Sequence, residues 1–284
     1  MFESSRTGAS MNRKAIIVFY FLTYSIAWGL SAVYVLFPVW GLAHIGRITL
    51  WNPVVFATIW LPTILAFTLA FAFDGKAGLR DLLIRVFRWR IKLRWYAIST
   101  IGIAALGITA QFVRAYADHM PSPPVFDFAA WPALTVYGLS MLVLDPGPIG
   151  EDPGWRGYAL PRMLQRFNPA VASILLGCIW AVWHLPAFLF SGMPQAGLSV
   201  PWFELEIVSL TVLMSWVAVN TRGAVLPAIL MHWASNRFTV IEGDGAMYTA
   251  ILYTLVALIV VVATRGRLGL GKERGNAADF QTEF

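Results

Sequence analysis

Charged side chains are scarce in this sequence. Only 13% of its 284 residues are Asp, Glu, Lys or Arg, whereas 58% are hydrophobic. A soluble domain usually has about 25% charged residues, so this composition excludes an ordinary soluble globular protein. The mean hydropathy of +0.66, with long apolar runs between short charged clusters, indicates a polytopic membrane protein.

Cysteine is almost absent as well. Cys178 is the sole cysteine of the chain, so a disulfide within the chain and a CxxC metal or redox motif are both excluded. Because Cys178 falls in an apolar run, we expect it to be a buried structural thiol.

The apolar runs are long enough for membrane-spanning helices, which need about 20 mostly apolar residues. They are too long and too continuously apolar for the strands of a barrel. We therefore predict an all-α fold, a polytopic membrane helix bundle with about eight transmembrane helices. The predicted spans are 15–38, 50–73, 95–116, 131–147, 169–190, 202–220, 223–241 and 246–264.

The basic residues sort unevenly between the two sides of such a bundle. If the N-terminus is inside, the outer side receives Arg47, Arg114 and Arg237, and the inner side receives the other 18 of the 21. This asymmetry follows the positive-inside rule and predicts an N-in, C-in topology. It also accounts for the net charge of +6 without nucleic acid, which we exclude as a partner. We predict an integral protein of a prokaryotic plasma membrane.

The chain shows no internal repeat and no second domain. We predict one membrane-embedded domain over residues 1–264, with its core motifs in 131–240, and a polar cytoplasmic tail over 265–284. Segment 78–95 ("GLRDLLIRVFRWRIKLRW") alternates basic and apolar residues at roughly helical spacing. It predicts a basic amphipathic helix on the cytoplasmic surface of the lipid bilayer, in contact with anionic lipids.

Two histidines lie inside apolar spans, where ionisable residues suggest function. In "WAVWHLP" (180–186), Trp180 and His184 are four residues apart and share one helix face. In "LMHWASN" (230–236), His232 and Asn236 have the same spacing. If His232 and Asn236 donate hydrogen bonds to the same point, they could stabilise an oxyanion that develops there. Each histidine alone could instead bond to a neighbouring helix.

The stretch "GEDPGWRGYALPRM" (150–163) places two carboxylates side by side in this apolar chain. Asp152 before Pro153 is typical of a helix N-cap, and its spacing to Arg156 also allows an ion pair. Glu151 has no local cation at that spacing, and a carboxylate near apolar walls suits a general base. We expect Glu204 and Glu206, at the end of a span, to be interfacial.

Three separated motifs resemble those of one known family. The sequence reads "EDPGWRGYALPR", "WAVWH" and "HWASN", in that order. This pattern is similar to that of the CPBP or Abi family of CAAX proteases and bacteriocin-processing enzymes, and especially to its type II CAAX prenyl endopeptidases. The family has an eight-helix membrane fold. Two departures are Asp152, where the family usually has Glu, and Trp180, where it usually has Phe.

The resemblance implies an intramembrane peptidase that acts on a membrane-associated protein or peptide. Its prenyl-protein relatives remove the last three residues of a lipidated CAAX terminus, and a leader peptide is the other substrate class. Glu151 would activate water with help from His184, while His232 and Asn236 would stabilise the oxyanion. Arg156 would anchor the first motif or a substrate carboxylate, and the site would open towards the cytoplasm.

The family resemblance leaves two alternatives for the cofactor. Glu151, His184 and His232 could bind one zinc ion, or the mechanism could be metal-free and glutamate-dependent. The sequence has no HExxH, GxSG or GxGD motif, which disfavours the zinc site-2, rhomboid and presenilin types of intramembrane protease.

Two other functional classes stay open at this point. Asp152 in place of Glu is compatible with a non-catalytic scaffold or immunity-type protein of the same fold. The intramembrane His and Glu residues are also compatible with a transporter, although the paired halves of many transporters are missing.

Overall fold

The computed structural model describes residues 2–121, 131–239 and 245–270, and every regular element in these ranges is helical. The tail predicted over 265–284 therefore falls mostly outside the described residues. The helices are α1 (Phe2–Leu36), α2 (Pro38–His44), α3 (Pro53–Val86), α4 (Leu93–Ala97), α5 (Ile103–Ala117), α6 (Trp131–Leu144), α7 (Pro146–Asp152), α8 (Leu160–Leu164), α9 (Pro169–His184), α10 (Val200–Asn220), α11 (Leu226–Phe238) and α12 (Ala246–Ala263). Two π-helical turns, Ile98–Gly102 and Pro153–Ala159, join α4 to α5 and α7 to α8, and a 3₁₀ turn, Leu185–Leu189, follows α9.

Three helices begin with the same local device, an Asn or Asp followed by proline. The side chains of Asn52, Asp145 and Asn168 accept hydrogen bonds from the backbone two residues on, at 2.9, 3.1 and 2.9 Å. Such residues satisfy the free N–H groups of a helix start, where proline loses nothing. The N-cap prediction for Asp152 is wrong, because Asp145 caps α7 and Asp152 is its last residue, with helical backbone angles.

The helical membrane bundle is confirmed. Within the described ranges, six helical stretches are long and apolar enough to cross a membrane. The predicted fourth and seventh spans contain the shorter helices α6, of 14 residues, and α11, of 13 residues. A full crossing needs about 20 residues, and α6 gains length only through α7, the π-helical turn and α8 that follow it. The count of eight spans and the N-in orientation stay predictions.

The helices run between two ends of the bundle that differ in charge. At one end, Asn12 Nδ2 donates to Gln165 Oε1 at 2.7 Å, and the backbone N–H of Val225 donates to the carbonyl of Arg85 at 3.0 Å. We call this the basic end, since most basic residues lie there. Its basic segments are 13–14, 76–94, 162–166, 222 and 265–267.

The other end, which we call the opposite end, has few basic residues. Gln111 Nε2 donates there to the carbonyl of Phe238 at 2.9 Å, and the connections 45–52 and 190–199 lie at this end. The grouping of basic residues at one end is the one that the sequence predicted. The side of the membrane that each end faces remains a prediction.

The basic segment 78–95 is helical only in part. Gly75 has non-helical backbone angles (φ 65°, ψ −157°) and divides α3 into two parts, of which the second runs to Val86. Residues 87–92 are irregular and α4 begins at Leu93, so a helix separated from the first part of α3 is present but is shorter than predicted. Phe87, Trp89 and Leu93 are nevertheless exposed, so lipid contact at this segment stays a prediction.

Cys178 lies on an exposed side of α9, and the prediction of a buried thiol is wrong. An apolar run is buried on all sides in a soluble core, but in a membrane bundle one side of each outer helix can face lipid.

Candidate active site

The approach of α7 and its π-helical turn to α3 fixes the position of the first motif. A Cβ at Gly154 would lie 2.5 Å from the carbonyl oxygen of Pro62, and a Cβ at Gly150 would lie 3.0 Å from that of Ile59. Only glycine allows backbones to come this close. The hydroxyl of Thr63 also donates to the carbonyl of Ile149 at 3.1 Å. The sequence "GEDPG" thereby buries its two carboxylates inside the bundle.

Glu151 has one oxygen engaged and one oxygen towards the cavity. The indole Nε1–H of Trp180 donates to Oε2 at 2.7 Å. Oε1 lies 3.3 Å from the point that a Cβ of Gly147 would occupy, and Glu151 and Gly147 both line the central cavity. Glu151 itself is only 4% exposed. The indole therefore orients the carboxylate and leaves its second oxygen for a ligand.

His184 is the last residue of α9, at the level of Glu151. Its Nδ1 lies 2.9 Å from the carbonyl oxygen of Trp180, and since a carbonyl only accepts, Nδ1 carries the proton. The lone pair of Nε2 is then free, 3.8 Å from Oε2 of Glu151. Trp183 and Phe203 contact the ring edge-on, with centroids 4.9 and 5.3 Å away, and so fix its plane.

His232 is held by Asp152 from the neighbouring helix. Its Nδ1 donates to Oδ2 of Asp152 at 3.2 Å, while Nη1 of Arg156 donates to Oδ1 at 2.8 Å. Arg156 also donates to Thr211 Oγ1 at 3.0 Å and lies 3.9 Å from the Trp180 ring centre. The predicted pairing of Asp152 with Arg156 is confirmed, and Arg156 is buried outside the cavity lining.

The two histidines meet at one depth, although they are on different helices. The ring centre of Trp180 lies 5.4 Å from that of His184 and 5.1 Å from that of His232. A Cβ added to Gly147 would lie 3.5 Å from His232 Nε2 and 3.3 Å from Glu151 Oε1, so these two atoms face the same small space. A side chain at position 147 would fill this space. The structure thus brings Glu151, His184 and His232 together, as their predicted roles require.

Asn236 does not share one point with His232 as we expected. Its Nδ2 donates to Oδ2 of Asp145 at 3.0 Å, and Arg237 Nη2 reaches the same oxygen at 3.3 Å. Asn236 still lines the cavity, so its role at an oxyanion stays a prediction. Asp145, the N-cap of α7, is a further residue of the cavity lining. Its proximity to Asn236 and Arg237 depends on the packing of α11 against α7.

These side chains surround a cavity of about 820 Å³. This is within the usual range for ligand sites, roughly 300–1,000 Å³. Most of the lining is apolar. Helices α1, α3, α6, α9 and α10 all contribute apolar side chains to it. Ile48 and Gln195, from connections at the opposite end, belong to the lining. The cavity therefore extends from the His and Glu cluster towards the opposite end.

The location of the cavity sets two predictions against each other. An N-in topology places the basic end in the cytoplasm, whereas a cytoplasmic opening requires the opposite end there. A cavity that opens at the opposite end satisfies one prediction only.

Glu206 is a cavity residue that the sequence analysis assigned wrongly. We expected it at the membrane interface, but it is 6% exposed and lines the cavity. Thr239 Oγ1 donates to its Oε1 at 3.1 Å, and the described residues supply no cation to it. The sequence did contain a sign of this role, because Glu206 lies inside the apolar stretch of α10. An ionisable residue in a membrane span is costly and usually has a function.

The zinc prediction finds no support in the side-chain arrangement. In the described part of the chain, no group of three or more His, Cys, Asp or Glu side chains is placed to hold a metal ion. The predicted ligands Glu151, His184 and His232 lack that arrangement, and the Trp180 indole takes one Glu151 oxygen. Zinc binding stays a prediction.

The fold and the site define a helical membrane protein with a polar cluster around an internal cavity. Residues 130–238 match the family model of Rce1-like type II CAAX prenyl endopeptidases. The chain is also 27% identical over 124 residues to CAAX prenyl protease 2 of Methanococcus maripaludis, a match that covers 39% of this chain and 45% of that protein. Over the matched residues, this chain is therefore similar to the type II CAAX prenyl endopeptidases. All the predicted site residues fall inside the matched range.

Proposed function

We propose that this protein is an intramembrane endopeptidase that hydrolyses a peptide bond near the lipidated CAAX terminus of a membrane-associated protein. The observation that carries this proposal is the convergence of Glu151, His184 and His232 on one buried cavity. The name of the matched relative supports the substrate class, and the bundle supports an integral membrane location. We also propose a prokaryotic plasma membrane as its location.

The first chemical step uses the two acceptors that face the cavity. The carboxylate of Glu151 and the Nε2 lone pair of His184 can each accept a proton of one water molecule. A water held in this way points its oxygen lone pair at a substrate carbonyl. Glu151 removes a proton as the oxygen attacks the carbonyl carbon, and it returns the proton to the leaving amine when the C–N bond breaks.

The second requirement is a donor for the oxyanion that forms. His232 Nε2 faces the cavity, and Asp152 accepts from Nδ1. As an imidazolium, whose charge the Asp152 carboxylate balances, His232 can donate from Nε2 to the oxyanion. Asn236 lines the same wall one helical turn away. Asp152 acts here as a positioning residue, and Arg156 as the buried anchor of Asp152. The apolar walls of the cavity suit a prenyl chain, and the exposed basic turn 87–94 suits anionic lipid headgroups.

The test is cleavage of a fluorogenic farnesylated CAAX peptide by the detergent-purified protein. Glu151→Gln should lower kcat by about 10²- to 10⁴-fold, the usual contribution of a general base. Glu204→Gln, a carboxylate variant on α10 outside the cavity lining, should retain the wild-type rate. Cleavage by Glu151→Gln at the wild-type rate would contradict the proposal. Each reaction is repeated with a zinc chelator, and loss of activity there would support the metal-dependent alternative.

The non-catalytic alternative started from Asp152 in place of Glu. In this chain the shorter carboxylate still contacts both Arg156 and His232, so the substitution no longer argues against catalysis. A scaffold would show no cleavage by the wild type and an unchanged cellular function in Glu151→Gln. A transporter would show substrate uptake in proteoliposomes.

A further inference from the structure

Among the described residues that line the cavity, Arg237 is the one Lys or Arg. Its guanidinium is held in place on two sides. Nη2 donates to Asp145 Oδ2 at 3.3 Å, and Nη1 donates to the hydroxyl of Tyr137 at 2.9 Å. The Tyr137 ring centre lies 5.6 Å from Cζ. The side chain is 20% exposed, so it is positioned at the cavity wall and remains within reach of a ligand.

The guanidinium has donors left over. It offers more N–H groups than these two bonds use, and within the described residues its buried Nε has no hydrogen-bond partner. Asp145 balances its charge through one oxygen, which also accepts from Asn236, but it leaves the other N–H groups of the guanidinium as donors. A planar fork with free donors suits a carboxylate, which it can bind through two parallel bonds.

Two other carboxylates of the cavity wall, Glu151 and Glu206, have no Lys or Arg bonded to them in the described part of the chain. A substrate carboxylate is therefore placed more favourably at Arg237 than beside Glu151 or Glu206.

The distance from Arg237 to the reactive cluster matches a short peptide. Arg237 follows His232 by five residues, which corresponds to about 7.5 Å along a helix, and the side chain adds to this. Three extended residues span about 10 Å. We propose that Arg237 binds the free α-carboxylate of the last substrate residue and so sets the cut three residues from the terminus. This inference rests on the proposed function.

The experiment compares two farnesylated CAAX peptides that differ only in a free or an amidated C-terminus. The wild type should have a kcat/KM about 10- to 100-fold higher for the free acid, the usual effect of a charge-assisted bond. Arg237→Gln should bring this acid-to-amide ratio close to 1, mainly through KM for the acid, and Arg237→Lys should keep part of the preference. Arg222→Gln, at the basic end, is the matched control and should keep the wild-type ratio.

The outcomes separate this inference from the proposed function. If the wild type cleaves acid and amide equally, or if Arg237→Gln slows both by the same factor, the carboxylate role is wrong while the peptidase stands. If the wild type cleaves neither peptide, both proposals fall. A wild-type ratio close to 1 overturns the inference even if Arg237→Gln does not fold, and Arg237→Lys then tests the part that Arg237 plays in any preference.

Discussion

At the scale of the residue, Asp152 shows how a single carboxylate can serve two partners. One oxygen accepts from Arg156 and the other from His232, and the Asp152 side chain is fully buried. Its shorter reach than Glu is sufficient because α7, α10 and α11 meet at this point. A charge pair in such a place is costly to break, since the remaining charge stays buried.

We expect Asp152→Ala to destabilise the protein by about 3–5 kcal/mol, because it leaves Arg156 buried without a counter-charge. It should also remove activity, since His232 loses the group that orients it. The measurements are thermal unfolding in detergent, followed by circular dichroism, and peptide cleavage below the melting temperature. The control is Asp118→Ala, which breaks a half-exposed Arg–Asp pair of the same spacing and should cost about 1 kcal/mol or less. Equal melting temperatures for the two variants would contradict this assignment.

The residues that the sequence predicted correctly are those whose partners are close along the chain. The pairing of Asp152 with Arg156 and the contact of His184 with Trp180 both follow from a spacing of four residues. Asp145, Glu206 and Cys178 were missed or misassigned. Their surroundings come from helices far apart in sequence, or from the outward direction of one helix side, and no local pattern reports either.

At the scale of the element, the helical stretch that begins with α6 is broken where the site lies. Asp145 and Pro146 end one helix and start another, and the π-helical turn Pro153–Ala159 follows directly. Non-helical or wide backbone at membrane depth is tolerated where it lines a cavity or is buried in protein. The sequence predicted a span over 131–147, and hydropathy alone does not report how the backbone continues after the break at Asp145.

Gly154→Ala tests the close approach of this element to α3. The new Cβ would lie 2.5 Å from the Pro62 carbonyl oxygen, so the two backbones must separate. We expect a loss of about 1–3 kcal/mol, typical of overpacking, and a fall in activity because Glu151 moves with the turn. Gly29→Ala on α1 meets nothing within 4 Å and should be neutral or stabilising by about 0.5–1 kcal/mol. The check is the melting temperature of each variant in detergent. A Gly154→Ala variant that melts at the wild-type temperature would refute the close contact with Pro62.

At the scale of the whole molecule, the bundle separates most of its basic residues from its cavity, with Arg237 as an exception. The separation of charge was predictable, because the order of spans and loops alone assigns each basic residue to an end. The position of the cavity was not, because its lining combines short pieces of helices that are distant along the chain. The same packing makes an N-in topology and a cytoplasmic opening incompatible for a cavity that opens at the opposite end.

A topology measurement distinguishes these two predictions. In a Cys178→Ala background, Lys92→Cys marks the basic end and Ser191→Cys marks the end towards which the cavity extends; both positions are exposed. The positive-inside rule predicts that a membrane-impermeant maleimide added to intact cells labels Ser191→Cys and spares Lys92→Cys until the cells are lysed. The reverse pattern would mean that the cavity faces the cytoplasm and that the charge rule fails for this chain. With the first result, a cytoplasmic CAAX terminus must reach the site from within the bilayer, between helices, and the prenyl chain would then guide its entry.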